Sequence, residues 1–494
     1  MIRRDQGARI LPSPSQSFEP RQSARGTATK RQLGKAAVAL LCLLLSSCAH
    51  QRYDPRPVSL DGIASQIEAH SLDSPELRAF VQAHYPDKAW PPAQWDLDAL
   101  TLVAFFYNPD LQAARARLAS ADAAQITAAQ RPNPVLGLSS QRTLNQMAGI
   151  SPWTLGLLLD IPIETAGKRG YRMGEAAQLA QSAQLQLAGA AWDVRSQLRT
   201  QLLALWSLSG KAQLVRRQAE LEQTLSTMLE KRLAEGYASA WELNQQRLAA
   251  LQSTRDALAA ERDALAARVK LAAILGLKAD AFAHAQLDLA AFDRQTPEPP
   301  AQAIRRQALL GRADVRSGLA QYEASQAALQ REVAKQYPDL HLGPAYTFDQ
   351  GADKLGFDLS NIELPIFNRN EGPIAEARAR RQEAEAKVRQ LEAKAFFDAD
   401  SALVAYHGAH AIFQQAATQL AVQRRQLGVA GRALELGADD RMALVLAEKA
   451  ELAARLAQFD ATFQVQQALG QIEDAMQLPL TSTMIPLPPN PPAK

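Results

Sequence analysis

The second half of this 494-residue chain repeats the first, down to its punctuation. Asn133-Pro134-Val135-Leu136-Gly137-Leu138 recurs as Tyr337-Pro338-Asp339-Leu340-His341-Leu342. Asp160-Ile161-Pro162-Ile163 recurs as Glu363-Leu364-Pro365-Ile366, and Arg232-Leu233-Ala234-Glu235-Gly236 recurs more loosely as Ala433-Leu434-Glu435-Leu436-Gly437. Each pair lies roughly 200 residues apart with an offset that drifts by a few positions, as a duplicated unit requires. Each unit reads as a helix, two strands, a very long helix, a glycine-marked turn and another helix. Any fold for this chain must accommodate two copies of that order.

The strands announce themselves by a change of period. Between Thr154 and Glu164 the odd positions Leu155, Leu157, Leu159, Ile161 and Ile163 are all apolar, and Gly156, Leu158, Asp160, Pro162 and Glu164 alternate with them. That is period-two alternation over about ten residues, the length and pattern of a membrane-barrel strand. In the second unit Leu340, Leu342, Tyr346 and Phe348 alternate with His341, Gly343, Thr347 and Asp349. Leu355, Phe357 and Leu359 open a further strand, whose register shifts to Ile362, Leu364 and Ile366 as a bulge near Ser360-Asn361 would make it. Val135 to Thr143 supplies the fourth strand. An amphipathic strand on a soluble core is the alternative for each; matched hairpins on an exported chain favour the barrel.

After each hairpin comes a helix of unusual length. No proline occurs between Pro162 and Pro297, and Gly170 to Gly236 is about 65 residues, roughly 100 Å of helix. Pro373 to Gly437 is almost the same. Each glycine opens a second helix of about 40 residues, ending near Leu277 and Leu478. Leu251, Leu258 and Leu265 fall seven apart, as do Leu214, Leu221 and Met228, at coiled-coil spacing broken by polar residues. The helices from Leu97 and Ile304, about 35 residues each, could stack end to end with the 40-residue helices beside the long ones.

The ends and the composition narrow the compartment. Arg31 and Lys35 precede an apolar run, Ala36 to Leu45, too short to span a bilayer and suited to a signal-peptide core. It ends in Leu45-Ser46-Ser47-Cys48, which resembles a bacterial lipoprotein signal and implies lipidation of Cys48 after cleavage. Ala49, not aspartate, by resemblance favours the outer membrane. Cys42 lies inside the signal, so the mature chain is expected to carry no disulfide. A net charge of +3 with both signs interspersed argues against nucleic acid. The expected organisation is a signal at 1–47, an extended segment at 48–92, the first repeat at 93–277, a linker at 278–300, the second repeat at 301–478, and a Pro-rich disordered tail at 479–494.

Four strands cannot cross a bilayer as an open sheet, because each edge leaves backbone groups unpaired in hydrocarbon. Closure must recruit other copies, and three copies give twelve strands, wide enough for a solute path. The expected class is α+β: a duplicated, long α-helical coiled-coil barrel with four strands per chain in a trimeric transmembrane β-barrel.

With Asn108-Pro109-Asp110-Leu111, the hairpins ending Ile-Pro-Ile and Leu-Pro-Ile, and the glycine-marked turns, the chain resembles the TolC family of outer-membrane efflux factors over nearly its whole mature length. Thr165-Ala166-Gly167-Lys168-Arg169 looks like the family's heavy-metal branch. The resemblance implies a homotrimer with a periplasmic helical tunnel, a periplasmic adaptor protein and an inner-membrane pump of the resistance-nodulation-division type. It places adaptor-docking tips at Arg232 to Ser239, with Gly236 between them, and at Ala433 to Arg441, around Gly437. Two departures stand out: the second tip lacks a counterpart of Arg232, and Ala443 and Leu446 occupy positions that are acidic in the best-known members. Glu242, Asp439, Asp440 and Arg441 remain as candidate gate residues; helix capping is the other reading of the acids. Leu155, Leu157, Leu159 and Ile161 are the candidate lipid-facing set.

No enzyme signature accompanies these features: there is no metal-ligand cysteine set, phosphate loop or nucleophile elbow. His407 and His410 are three apart on a helix, a spacing that is usually polar surface, and no metal or cofactor is expected. The sequence reads as a passive outer-membrane exit duct, lipid-anchored and reaching into the periplasm. A type I protein-secretion duct and a pore-free periplasmic scaffold lipoprotein are the alternatives.

Overall fold

The computed structural model describes residues 53–145, 149–294, 300–360, 362–480 and 485–488. The signal, Cys48 and Asn361 lie outside the described residues. The chain divides into a short unit, Met1–Ile63, and a main body, Ala64–Lys494. Helix α1 spans Leu60–Ala69 and α2 spans Pro75–His84, so the segment expected to run extended is partly helical. The cause in α2 is local: Ser74 Oγ accepts from Leu77 N at 3.1 Å, Pro75 opens the first turn, and Leu77 and Val81 bury one face.

The first repeat continues with α3 (Leu97–Tyr107), α4 (Pro109–Ala129), β1 (Val135–Arg142), β2 (Trp153–Ile163), α5 (Lys168–Ala234, 67 residues) and α6 (Ala240–Ile274, 35 residues). A one-turn helix α7 (Ala279–Phe282) and a 3-10 turn at Ala290–Asp293 occupy the linker, whose Leu287 bridges to Trp95. The second repeat follows with α8 (Ala301–Leu310), α9 (Ala313–Ala334), β3 (Leu340–Asp349), β4 (Ala352–Ser360), α10 (Glu371–Glu435, 65 residues) and α11 (Arg441–Met476, 36 residues). Strand β4 ends at Ser360 and no regular strand resumes through Ile362 to Ile366, where a bulged continuation was expected. The partner strand runs out there: β3 begins at Leu340, and its His341 already opposes Ser360.

Each repeat opens with two helices where one of about 35 residues was expected. Pro109 forbids an α conformation at the residue before it, and Asn108 is extended at φ −62, ψ 124. The break is functional for packing. Asn108 Oδ1 accepts from Asp110 N at 2.9 Å and Leu111 N at 3.2 Å, while its Nδ2 donates to Ile274 O at 2.9 Å. One buried side chain thus caps the start of α4 and satisfies a terminal carbonyl of α6. The 21-residue α4 and the 35-residue α6 are spliced end to end beside the 67-residue α5.

The second repeat makes the same splice with the opposite polarity. Gln477, left-handed at φ 48 after the end of α11, sends Oε1 to accept from Ala313 N at 2.7 Å, at the start of α9. Arg312 marks the break there, buried and paired to Asp314 and Asp398 at 2.7 and 2.9 Å.

The main core sits around these splices. In α3 seven of eleven residues are buried, Leu100, Val103 and Phe105 among them, against Leu198, Leu202 and Leu205 of α5 and Leu271 and Leu275 at the end of α6. A helix apolar all round must be enclosed. Part of the tail is seated here as well, against the disorder expected of it. Ile485 and Leu487 pack on this core and Tyr85 Oη donates to Pro486 O at 2.6 Å. Burial pushes the Tyr85 hydroxyl up to about 12, so it remains a donor. Alternating prolines hold such a segment extended and leave its carbonyls free to accept.

Asn108→Ala is expected to cost about 2 kcal/mol, one cap plus one buried acceptor left open, and Asn108→Ser, which keeps a cap oxygen, to recover about half. Urea titration of the helical circular-dichroism signal in detergent tests this; two variants as stable as the parent would contradict the splice.

Candidate duct wall and helical tips

The four strands form one antiparallel sheet in the order β1-β2-β3-β4. In an antiparallel ladder, directly opposed residues share a face. The register opposes Leu138, Leu157, Tyr346 and Leu355 in one row, and Leu136 with Leu159 and Ile161, Leu342 and Leu359 in others. One face therefore carries Leu136 and Leu138, the odd residues Leu155 to Ile163, Leu340, Leu342, Tyr346 and Phe348, and Leu355, Phe357 and Leu359. The other carries Gly137, Ser139, Gln141, Thr154, Gly156, Asp160, His341, Thr347, Lys354 and Asp358, with Leu158 as the main apolar exception. Leu155, Leu157 and Ile161 are exposed and Leu159 is half-buried. Strands β1 and β4 each have one partner among the described residues.

The β2–β3 ladder skips Leu159 and Asp160, opposite Pro344 and Gly343. Proline cannot donate there, and a β-carbon on Gly343 would collide with the Leu159 carbonyl oxygen, so only glycine permits this approach.

Thr165-Ala166-Gly167-Lys168-Arg169 forms the joint between sheet and helices. Ala166 and Gly167 are both left-handed, at φ 53 and 76, and turn the chain from β2 into α5. Thr165 N and Lys168 Nζ donate to Asp339 Oδ1 at 2.9 and 2.7 Å. Thr165 Oγ1 and Lys168 Nζ donate to the Pro338 and Tyr337 carbonyls, each at 2.6 Å. Arg169 donates to Ala129 O, and Arg172 to Ala128 O and Gln130 O while pairing with Glu164, which together close the open carbonyls at the end of α4. The Tyr-Pro-Asp of one repeat is the receptor for the Thr-Ala-Gly-Lys of the other.

At the far end, both long helices stop in a left-handed glycine. Gly236 has φ 80, with Tyr237 N donating to Arg232 O at 2.7 Å; Gly437 has φ 69, with Ala438 N donating to Ala433 O at 2.8 Å. Ser239 opens α6 with a capping box, Ser239 N donating to Glu242 Oε2 at 2.7 Å and Glu242 N to Ser239 Oγ at 3.1 Å. Those bonds from Ser239 hold the Glu242 carboxyl below its usual range. Asp440 caps α11 through Ala443 N at 2.9 Å and pairs with Arg232 across the repeats. The Ala443 amide, with Arg232 beside it, lowers the Asp440 carboxyl. Asp439 Oδ1 accepts from Asp440 N at 2.9 Å, and Arg441 is exposed in the first turn of α11. The structure thus brings Arg232, Asp440 and the two glycine turns together, with each candidate gate carboxylate engaged in a turn or cap. Sequence reasoning did not single out Tyr237 and Trp241, 80% and 70% exposed on the first tip.

Away from these regions, His410 stacks on Tyr406 at 5.8 Å between ring centroids. Among the described residues no cluster of three metal-ligating side chains occurs, and no helix is long and apolar enough to cross a membrane.

Residues 106–277 match the family of outer membrane efflux proteins. The chain is 28% identical over 282 residues to the cobalt-zinc-cadmium resistance protein CzcC of Cupriavidus metallidurans, an alignment covering 57% of this chain and 65% of CzcC. It thus spans less than two thirds of that relative. It is 24% identical over 475 residues to the pyoverdine export outer membrane protein OpmQ of Pseudomonas aeruginosa, covering 87% and 95% of the two chains. The fold matches the outer membrane protein VceC of Vibrio cholerae with a TM-score of 0.63 at 20% identity, over 77% of this chain and 95% of VceC. The fold is that of the TolC-like outer-membrane proteins, and residues 106–277 carry the match to the efflux family. The α+β expectation of a duplicated chain, with a hairpin ahead of each long helix, is met by this fold.

Within this fold the joint is the most specific polar constellation. Asp339→Leu leaves the Lys168 ammonium, 11% exposed, without its carboxylate, and is expected to cost about 3 kcal/mol. Lys168→Met with Asp339→Leu removes both charges and is expected to be milder than the single change. Melting temperatures of the four proteins of the cycle decide it, and strictly additive losses would rule the pairing out.

Proposed function

We propose that this chain is the outer-membrane exit duct of a tripartite efflux system, moving solute passively while an inner-membrane pump of the resistance-nodulation-division type supplies the work. The observation that carries the reading is the sheet: one apolar face continuous across four strands, a polar face behind it, and an open edge on either side. Such a sheet is compatible with hydrocarbon only when other copies close it, and three give a twelve-stranded barrel. Leu155, Leu157, Leu159 and Ile161 then face lipid and Gly156, Asp160 and Thr347 face the lumen. The long helices continue the barrel as a tunnel into the periplasm, lipidated Cys48 anchors the chain, and no chemical step is performed.

The tips around Arg232, Gly236, Ser239 and Gly437 dock a periplasmic adaptor. Glu242, Asp439, Asp440 and Arg441 surround the mouth. Glu242 and Asp440 are occupied at helix caps and Asp439 in the turn before α11, so the mouth opens by parting Arg232 from Asp440 and not by freeing an acidic ring. The cargo is divalent metal cations, a reading that rests on the likeness to CzcC and the Thr-Ala-Gly-Lys-Arg joint; pyoverdine export by OpmQ points instead to a bulky organic cargo.

Two experiments test this. Leu157→Arg puts a charge on the lipid face at a cost of about 2–4 kcal/mol and is expected to cut outer-membrane assembly sharply. Normal assembly would remove the strand from the membrane. A clean deletion strain is expected to become hypersensitive to divalent cobalt, zinc and cadmium. Sensitivity confined to drugs and dyes would reassign the cargo, and an unchanged strain whose purified protein shows no conductance would favour the scaffold.

A further inference from the structure

A cavity of about 630 Å³ lies where α5 of the first repeat faces α10 and α11 of the second. Its size falls in the range that takes a small organic ligand. The floor is aromatic: Trp206 and Phe459 stack with ring centroids 4.4 Å apart and planes at 27°. Gly210 makes that floor, because a β-carbon at 210 would strike the Phe459 ring. Tyr406 and His410, stacked at 26°, line the cavity from α10, with Phe413 6.4 Å from His410. An aromatic slot of this kind receives flat rings by offset stacking.

The charged groups around it are two guanidinium groups and one carboxylate, a net positive lining. Arg294 and Arg455 line the cavity and make no ion pair among the described residues. The single lining carboxylate, Asp293, is engaged by the Trp206 indole N–H at 3.2 Å. Two guanidinium groups with no ion-pair partner among the described residues, beside aromatic rings, recognise a planar anion, with a forked bond to its carboxylate or sulfonate and its rings stacked on the aromatic lining. We propose that this cavity is a binding site for aromatic anions of about two fused rings. The proposal stands apart from the duct reading, since it concerns equilibrium binding to the folded chain and not passage through it.

The test is isothermal titration of 2-naphthoate into the full-length protein in detergent, with 2-naphthalenemethanol as the neutral analogue of the same ring. The parent is expected to bind the anion at least about tenfold more tightly than the alcohol, and Arg455→Glu to lose at least about tenfold of that affinity. Arg455 is exposed, so its replacement leaves the packing in place, and an unchanged circular-dichroism melt verifies this. Thr462→Trp, which fills the cavity from α11, is expected to abolish binding of both probes. No binding to the parent at millimolar probe, equal affinity for the alcohol, or an unaffected Arg455→Glu each overturns the proposal.

Discussion

A helix of 65 or 67 residues, roughly 100 Å long, cannot stand uncovered in water, and everything else in this fold follows from how that length is covered. Among the described residues no helix other than its twin is long enough. Each repeat lays shorter helices end to end, and two abutting termini bring together the groups a helix leaves unpaired: amides at one end, carbonyls at the other. Asn108 resolves the first junction with one side chain that accepts from two amides and donates to a carbonyl. Gln477 resolves the second from the other terminus. The main core gathers at this level, where additional helices meet the long ones, while the distal hairpins have only a small cluster of Leu221, Leu225, Val445 and Leu452.

The repeats are held to one another by buried charge as much as by apolar contact. Glu473 of α11 is 2% exposed and faces Arg199 at 2.9 Å and Arg195 at 3.5 Å on α5. Burial pulls the Arg199 guanidinium down, opposed by Glu473. Burial also pushes the neighbouring Asp474 carboxyl up, and Trp192 and Ser196 hydrogen bonds oppose it. Arg199 also donates twice to Gln466 O at 3.1 Å, and a β-carbon on Gly470 would collide with its guanidinium. Such a cluster adds little stability over an apolar seam, but it tolerates only one alignment of α5 with α11. Alignment is what long alanine-rich helices lack, since small side chains permit sliding.

How much of this was legible in the sequence depended on how far apart the interacting residues lie. The duplication, the helix lengths and the face assignment of Leu155 to Ile163 come from local periodicity, which survives without knowledge of partners. The break at Asn108 was available from Asn-Pro alone, yet alanine-rich helical periodicity on both sides masked it. The break at Arg312 had no proline to mark it. The Thr165-Ala166-Gly167-Lys168 joint was visible as a motif but its receptor, Asp339, lies 174 residues from Thr165, and nothing in either segment names the other. The tail misled for the opposite reason: prolines indicate an extended chain, and whether it is anchored depends on a distant Tyr85 and an apolar shelf.

The tips show what duplication alone cannot build. Two identical hairpins would present the same side chain at each turn, and like charges facing one another repel. Here one tip carries Arg232 and the other Asp440, which meet across the repeats while Arg232 Nη1 also reaches Met442 Sδ at 3.4 Å. The pair is roughly half exposed, so it contributes at most about 1 kcal/mol and weakens with salt. Behind it Glu222, 3% exposed, accepts from Gln246 Nε2 at 2.7 Å and faces Lys449 Nζ at 2.7 Å, again joining the first hairpin to the second. The divergence of the second tip from the first is therefore a condition of closure: a strong buried contact sets the hairpins side by side, and a weak exposed one holds their ends together.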